Sequence, residues 1–189
     1  MQWSVELVAK DEDGLAFYLT QYKAFRLLSL QVDASSFGST YEREITFDDE
    51  KWRDRLLDPA ARTFTAVRSG SRDILSSMTI RDNLPVPAKL AARYPGPLVR
   101  WHVTGVFTLP EARRQGIANA VMTAGTQFAV HAAAAQGKDC LLTVDVYTDN
   151  ASAKLHYEKA GFAVFSEGQD NGRPTAELAL FVSTRSGVN

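Results

Sequence analysis

Trp3, Val5, Leu7 and Ala9 alternate with Ser4, Glu6 and Val8, the period of a half-buried strand. After a turn at Asp11–Asp13, Leu15, Tyr18, Leu19, Tyr22 and Phe25 recur at helical spacing and predict an amphipathic helix to about Leu30. Residues 33–44 have loop composition but keep Phe37 and Tyr41. A second helix is expected to open at Thr46, with Asp49 three residues on, and to carry Trp52 and Leu56 on one face until Pro59. Arg62–Arg68 and Ile74–Arg81 read as two strands joined by the Gly-containing turn 69–73. Residues 83–98 contain Pro85, Pro87, Pro95, Gly96 and Pro97, too many breakers for an element, and read as an inserted loop with a helical turn at Ala88–Arg93. Such a loop is either a lid or a passive excursion.

Val103–Leu109 is β-branched and aromatic and predicts a central strand, which Pro110 cannot continue. From Gly116 the chain turns Ala-rich and apolar, a long helix expected to end near Gln136 and Gly137. Leu141–Tyr147 is another strand, with Thr143, Asp145 and Tyr147 on one face. A helix runs from about Asp149 to Lys159 and stops at Gly161. Phe162–Ser166 and Ala176–Val182 close the chain as a strand pair around a polar turn at 167–174. The reading is a mixed α/β domain over residues 1–183, with 184–189 as a disordered tail.

The chain has 189 residues, enough for one core without staples. Lys+Arg 21 against Asp+Glu 22 gives no bulk electrostatic case for nucleic acid or an anionic membrane. A single cysteine, Cys140, excludes an internal disulfide, and its apolar strand suggests a buried, inert thiol. His102, His131 and His156 lack ligand spacing, so no metal is expected. Without a signal-like start or an apolar span of ~18 residues, a cytoplasmic protein is expected.

The corner from Pro110 to Gly116 carries the most chemistry. A helix start has unpaired N–H groups and favours anions, so Arg113 and Arg114 beside it suggest that an anion is held there. Gly116 and Ala118 let a ligand approach the backbone, as a diphosphate would. The pattern lacks the Lys-Ser/Thr of a P-loop and the third Gly of a dinucleotide fingerprint. Arg113-x-x-Gly116-x-Ala118 at a strand-to-helix corner resembles motif A of the GNAT superfamily of N-acetyltransferases. A second stretch, Asn150-x-x-Ala153-x-x-x-Tyr157-x-Lys159-x-Gly161-Phe162, begins 32 residues after Ala118 and resembles that family's other signature more specifically. Phe37–Glu42 followed by Trp52-x-x-x-Leu56 is similar to the amino-terminal part of one group within it.

This resemblance implies the GNAT fold: a central, mostly antiparallel seven-stranded twisted sheet flanked by about four helices. It implies acetyl-coenzyme A as cosubstrate and a primary amine as acceptor, most simply of a small molecule. A protein amine or a non-catalytic acyl-coenzyme A module are the alternatives, and the state would be monomer or homodimer. Val106, Phe107 and Thr108 would meet the pantetheine arm. Arg113, Arg114, Gln115, Gly116, Ile117 and Ala118 would hold the pyrophosphate, with Asn150, Ala153 and Tyr157 completing the coenzyme contacts. Tyr157 would be the general acid and His102 the base, relaying through water with Thr104. Asp145 is the reserve base. Tyr41, Glu42 and Glu44 would border the acceptor, although solvated loop charges explain them equally. Asn150 also suits an N-cap, and Tyr157 taken alone suits a core tyrosine. Arg114 stands where the family often has Gly, and His156 where it has an apolar residue.

Overall fold

The computed structural model describes residues 2–82 and 84–184, so the last five positions of the expected tail lie outside the described residues. Its seven strands form one sheet in the order β1-β2-β3-β4-β5-β7-β6. They are β1 Trp3–Leu7, β2 Ala61–Arg68, β3 Ile74–Arg81, β4 Leu98–Thr108, β5 Asp139–Tyr147, β6 Ala163–Asp170 and β7 Arg173–Val182. The chain divides into two compact units, Met1–Thr79 with Gly105–Ala124, and Ile80–Thr104 with Gly125–Asn189.

In the first unit β1 pairs antiparallel with β2, from Trp3↔Arg68 to Leu7↔Phe64. The predicted first helix is three pieces: α1 Glu12–Phe17, a π-helical turn Tyr18–Tyr22, and α2 Lys23–Val32. Asp11, expected in a turn, caps α1 by accepting from the Gly14 N–H at 2.8 Å. The wider π turn brings Tyr18 and Tyr22 into a stack with centroids 4.3 Å apart. Residues 33–44 are more ordered than their composition suggested, with a 3₁₀ turn at Ala34–Ser36 and the short helix α3 Tyr41–Glu44. Helix α4 is Asp49–Leu57, and its cap is Asp48, which accepts from the Lys51 N–H at 2.8 Å. Thr46, the predicted cap, instead donates to the Arg43 carbonyl. Tyr18, Tyr22, Phe25, Trp52, Leu56 and Phe107 share one buried cluster, each large apolar side chain contributing roughly 1.5–3 kcal/mol.

In the second unit β4 runs parallel to β5, from Leu98↔Asp139 to Val103↔Val144. β4 therefore begins at Leu98, five residues earlier than its apolar stretch suggested. β5 pairs antiparallel with β7, and β7 with β6, where the register shifts between Val164 and Ser166. The polar stretch 167–174 is mostly strand, turning only at Asn171 and Gly172. The Pro-rich insertion contains the helix α5 Ala88–Arg93 and is packed down. Leu90 is buried among Leu141, Ala179, Phe165 and Phe181, and Tyr94 stacks on Phe181 at 4.3 Å. Asp139, 1% exposed, accepts from the Thr184 N–H and the Ser183 hydroxyl, so the chain is tied down as far as Thr184. The remaining helices are α6 Ile117–Ala134, which begins in the first unit, and α7 Ala151–Lys159.

Candidate active site

In the first unit the last residues of β4 lead into a 3₁₀ turn, Pro110–Ala112, and then α6. Pro110 ends the strand, and Ala112, fully buried, seats the turn. Arg113 is extended, Arg114 has φ 59° and Gly116 φ 79°. Two left-handed φ values within three residues turn the chain sharply from the 3₁₀ turn into α6. Ala120 is the first residue of α6 to donate back, to the Gly116 carbonyl at 3.0 Å. The preceding amides at Ile117, Ala118 and Asn119 therefore have no intrahelical acceptor. Gly105, inside β4, has φ 62° and breaks the regular strand conformation there.

The arginine side chains do not simply point at an anion. Arg113 donates from Nε to the Thr108 carbonyl at 3.0 Å and lies 3.5 Å from Asp33 Oδ2. It braces the corner. Gln115 folds back onto the Glu111 carbonyl at 2.8 Å. Arg114 is exposed. Phe107 is buried against Phe25 and Phe37, and its carbonyl accepts from the Ser76 hydroxyl at 3.0 Å. Ser76 is also 2.8 Å from the Thr108 hydroxyl. Val106 is half-buried.

Left-handed backbone costs a non-Gly residue ~1–2 kcal/mol, which is the physical reason that Arg114 is unusual. Arg114→Gly is expected to change stability by less than about 1 kcal/mol, because the relieved strain is offset by added unfolded-state entropy. Gly116→Ala meets no atom within 4 Å but takes on the strain, and should lose about 1 kcal/mol. Urea unfolding of the two variants checks the contrast.

Tyr41 and Glu42 lie on α3, half-buried and exposed respectively. Thr40 caps this helix by accepting from the Arg43 N–H. Glu44 is 2% exposed and committed to Arg26 and Arg55, each at 2.8 Å. It is a structural anchor that loop composition concealed.

In the second unit, strand alternation and the β4–β5 register put Arg100, His102, Leu141, Thr143 and Asp145 on one face. Thr104 follows His102 by two residues on the same strand, and Glu177 stands opposite Asp145 on β7. His102 Nδ1 is 3.0 Å from the Thr143 hydroxyl, and Nε2 is 3.8 Å from Asp145 Oδ2. Burial holds this imidazole below its ordinary range; Asp145 opposes that shift and Arg100 adds to it. The group is thus neutral near pH 7. Alternation along β5 put Thr143 on the face of Asp145 but gave it no role, and Arg100 lay outside the expected strand; the structure sets the Thr143 hydroxyl at 3.0 Å from both Arg100 Nε and His102 Nδ1.

Asn150 caps α7, its Oδ1 accepting from the Ala153 N–H and the Ser152 hydroxyl at 3.1 Å each. Ala153 is half-buried in the first turn. Tyr157, two turns on, is 5% exposed and packs edge-on against Phe162 at 5.7 Å and His156 at 5.6 Å. Burial raises its phenol far above the ordinary value, so it stays protonated at any working pH. His156 is also held low by burial.

Comparison with known proteins bears on this arrangement. Residues 26–162 match the family described as acetyltransferase (GNAT). No curated protein sequence matches the chain. Several solved structures share the fold at low identity. A GNAT-family acetyltransferase from Streptococcus pneumoniae is 14% identical, with 96% of this chain and 100% of that one covered and a TM-score of 0.70. Arabidopsis thaliana NAA60 in complex with acetyl-CoA is 12% identical, covered over 96% and 99%, at 0.68. The ribosomal-protein-S5-alanine acetyltransferase of Vibrio fischeri is 14% identical, covered over 96% and 93%, at 0.68. Among the described residues no helix is long and apolar enough to cross a membrane.

Proposed function

The chain belongs to the acetyltransferase (GNAT) family, and from that membership we propose that it transfers the acetyl group of acetyl-coenzyme A to a primary amine of a small molecule. The observation that carries the cosubstrate reading is the corner ending β4, where left-handed Arg114 and Gly116 precede the unpaired amides of α6. Those amides suit a pyrophosphate. By resemblance to the family, Val106, Phe107 and Thr108 are the candidates to meet the pantetheine arm, and Asn150 and Ala153 are candidate coenzyme contacts in the second unit.

In the reaction a C–N bond forms and a C–S bond breaks. An alkyl amine of pKa ~10 is about a thousandth unprotonated at pH 7, so a base raises the rate. His102, neutral and 3.8 Å from Asp145, takes the ammonium proton, directly or through a water held with Thr104, and Asp145 stabilises the imidazolium. Strand amides polarise the acetyl carbonyl. Tyr157, which keeps its proton, donates a hydrogen bond to the departing sulfur, and the second proton lost by the adduct's nitrogen ends on that thiolate as the C–S bond breaks.

Support for a small acceptor comes from the insertion. Leu90 packs against Leu141 and Ala179, and Arg100 donates to the Pro85 carbonyl at 2.8 Å. These strand residues share the face of His102, so α5 and its flanks cover part of that face. A protein amino terminus is the second reading, favoured by relatives in fold named NAA60, Naa50 and ribosomal-protein-alanine acetyltransferases.

Thermal unfolding with acetyl-coenzyme A, coenzyme A, ATP and NAD tests the cosubstrate. A ligand at a hundred times its Kd adds about 2.7 kcal/mol, roughly 5–10 °C for a domain of this size. Coenzyme A species alone should give this shift. Thiol release with small amines and with amino-terminal peptides then separates the acceptors, and turnover confined to peptides would overturn the small-molecule reading.

A further inference from the structure

The polar face of the second unit contains a hydrogen-bond arrangement that the acetyl-transfer reading does not use. Thr143 is 1% exposed, in the middle of β5. Its hydroxyl meets three groups: Arg100 Nε at 3.0 Å, His102 Nδ1 at 3.0 Å and the Trp101 carbonyl at 3.4 Å. A hydroxyl has one proton to give and two lone pairs to accept with. Arg100 Nε can only donate, so it occupies one lone pair. The Trp101 carbonyl can only accept, and at 3.4 Å it is the more distant of the two groups able to take the hydroxyl proton. With the hydroxyl proton on that carbonyl, the remaining lone pair faces His102 and pairs with an Nδ1 that carries a hydrogen.

We infer that Thr143 and Arg100 act as positioning residues that fix the tautomer of His102, protonated at Nδ1 and bare at Nε2 on the side of Asp145. Nε2 is the nitrogen 3.8 Å from Asp145 Oδ2. That separation is too long for a direct hydrogen bond. The lone pair stays unengaged until a proton arrives, and the imidazolium then formed faces a carboxylate. Free imidazole can adopt either tautomer, and the bond made by one nitrogen decides the role of the other. Three charged groups bear on this site. Arg100 is on the histidine's own strand, Asp145 on β5, and Glu177 faces Asp145 from β7. The inference rests on the reading of His102 as the base, and adds what makes the correct nitrogen available.

Nitrogen-15 NMR of the full chain, with labelled histidine and the pH held above the His102 titration, reads the tautomer directly. Hydrogen on Nδ1 in the wild type, moving to Nε2 in Thr143→Val, is the expected result. Hydrogen on Nε2 in the wild type, or no change in Thr143→Val, overturns the inference. In kinetics, Thr143→Val should lower kcat roughly tenfold, well short of the ~10²–10⁴ that a base contributes. KM for acetyl-coenzyme A should hold, and Thr143→Ser, which keeps the hydroxyl, should restore the rate. Should Thr143→Val fold poorly, Arg100→Met provides a second reading. Removing the cation favours the imidazolium, so the acid limb of kcat/KM should move to higher pH, and an unmoved limb counts against the arrangement. His102→Gln separates the two layers. Wild-type kcat in that variant would remove the base reading, while the NMR result still decides the tautomer.

Discussion

Replacing Tyr157 with Phe is expected to lower kcat by ~10²–10⁴-fold while leaving the thermal shift with acetyl-coenzyme A at its wild-type size. The ring is 5% exposed and makes edge-on contacts with Phe162 and His156, which Phe reproduces. Only the hydroxyl is lost. Because burial raises the phenol well above its ordinary value, the group is a poor equilibrium acid toward a thiolate, whose conjugate thiol has a pKa of ~8.5. It therefore keeps its proton and, on the proposed mechanism, donates a hydrogen bond to the sulfur that strengthens as charge develops in the transition state, where catalysis gains. The same shift means that Tyr157 adds no alkaline limb to the pH profile in the usual assay range. Steady-state thiol release, run beside thermal unfolding, checks both parts. An undiminished kcat would remove Tyr157 from the chemistry, and a lost coenzyme shift would mean that the substitution had damaged the coenzyme site instead.

The elements most legible in the sequence were those bounded by residues with no conformational choice. Pro110 had to end β4, Gly116 and Gly161 take positive φ, and the alternation of Thr143, Asp145 and Tyr147 marked one face of β5. The π-helical turn at Tyr18–Tyr22 was not legible, because apolar residues spaced for a regular helix tolerate one locally wide turn. Thr46 and Asp48 were both plausible caps, and backbone geometry chose between them. The 167–174 stretch looked like a turn because residues 167–172 and Pro174 are exposed, so no apolar period marks it. Arg100 and His102 interrupt the apolar run at the start of β4, which hid its first residues. They are polar because the face they share with Thr143 and Asp145 is polar, which is also where the chemistry is proposed. Glu44 read as a loop charge because its partners lie 18 and 11 residues away, beyond any local pattern.

That carboxylate carries the largest expected effect on stability. Glu44→Gln should destabilise the fold by about 3–5 kcal/mol, the usual cost of removing one partner from a buried ion pair, or roughly 6–20 °C in Tm. Glu44 accepts from Arg26 Nε at 3.1 Å and from Nη2 at 2.8 Å, and from Arg55 Nη1 at 2.8 Å. Arg26 is 8% exposed and could not recover its hydration. Arg55, at 36% side-chain exposure, could recover part of it, so most of the loss falls on the Arg26 contact. Burial works against the ionised carboxyl, but the two guanidinium groups outweigh it and hold the group at about 2 against an ordinary 4.5. A depressed folded-state value stabilises above the unfolded value, and that stability is lost as pH falls through the folded one. The wild type should therefore lose on the order of 3 kcal/mol from this group between about pH 4.5 and 2, and the variant should lack that component. Urea unfolding of both proteins at pH 7 and pH 3 separates a charge effect from a packing effect, since a packing defect alone would leave the two pH dependences parallel. The guanidinium of Arg26 also lies 4.6 Å from the Phe37 ring centroid, and Phe37 packs on Phe107. Loss of the Glu44 anchor should thus loosen helix α3, which carries Tyr41 and Glu42, and, on the proposal that these two border the acceptor, acceptor KM should rise even at temperatures where the variant remains folded.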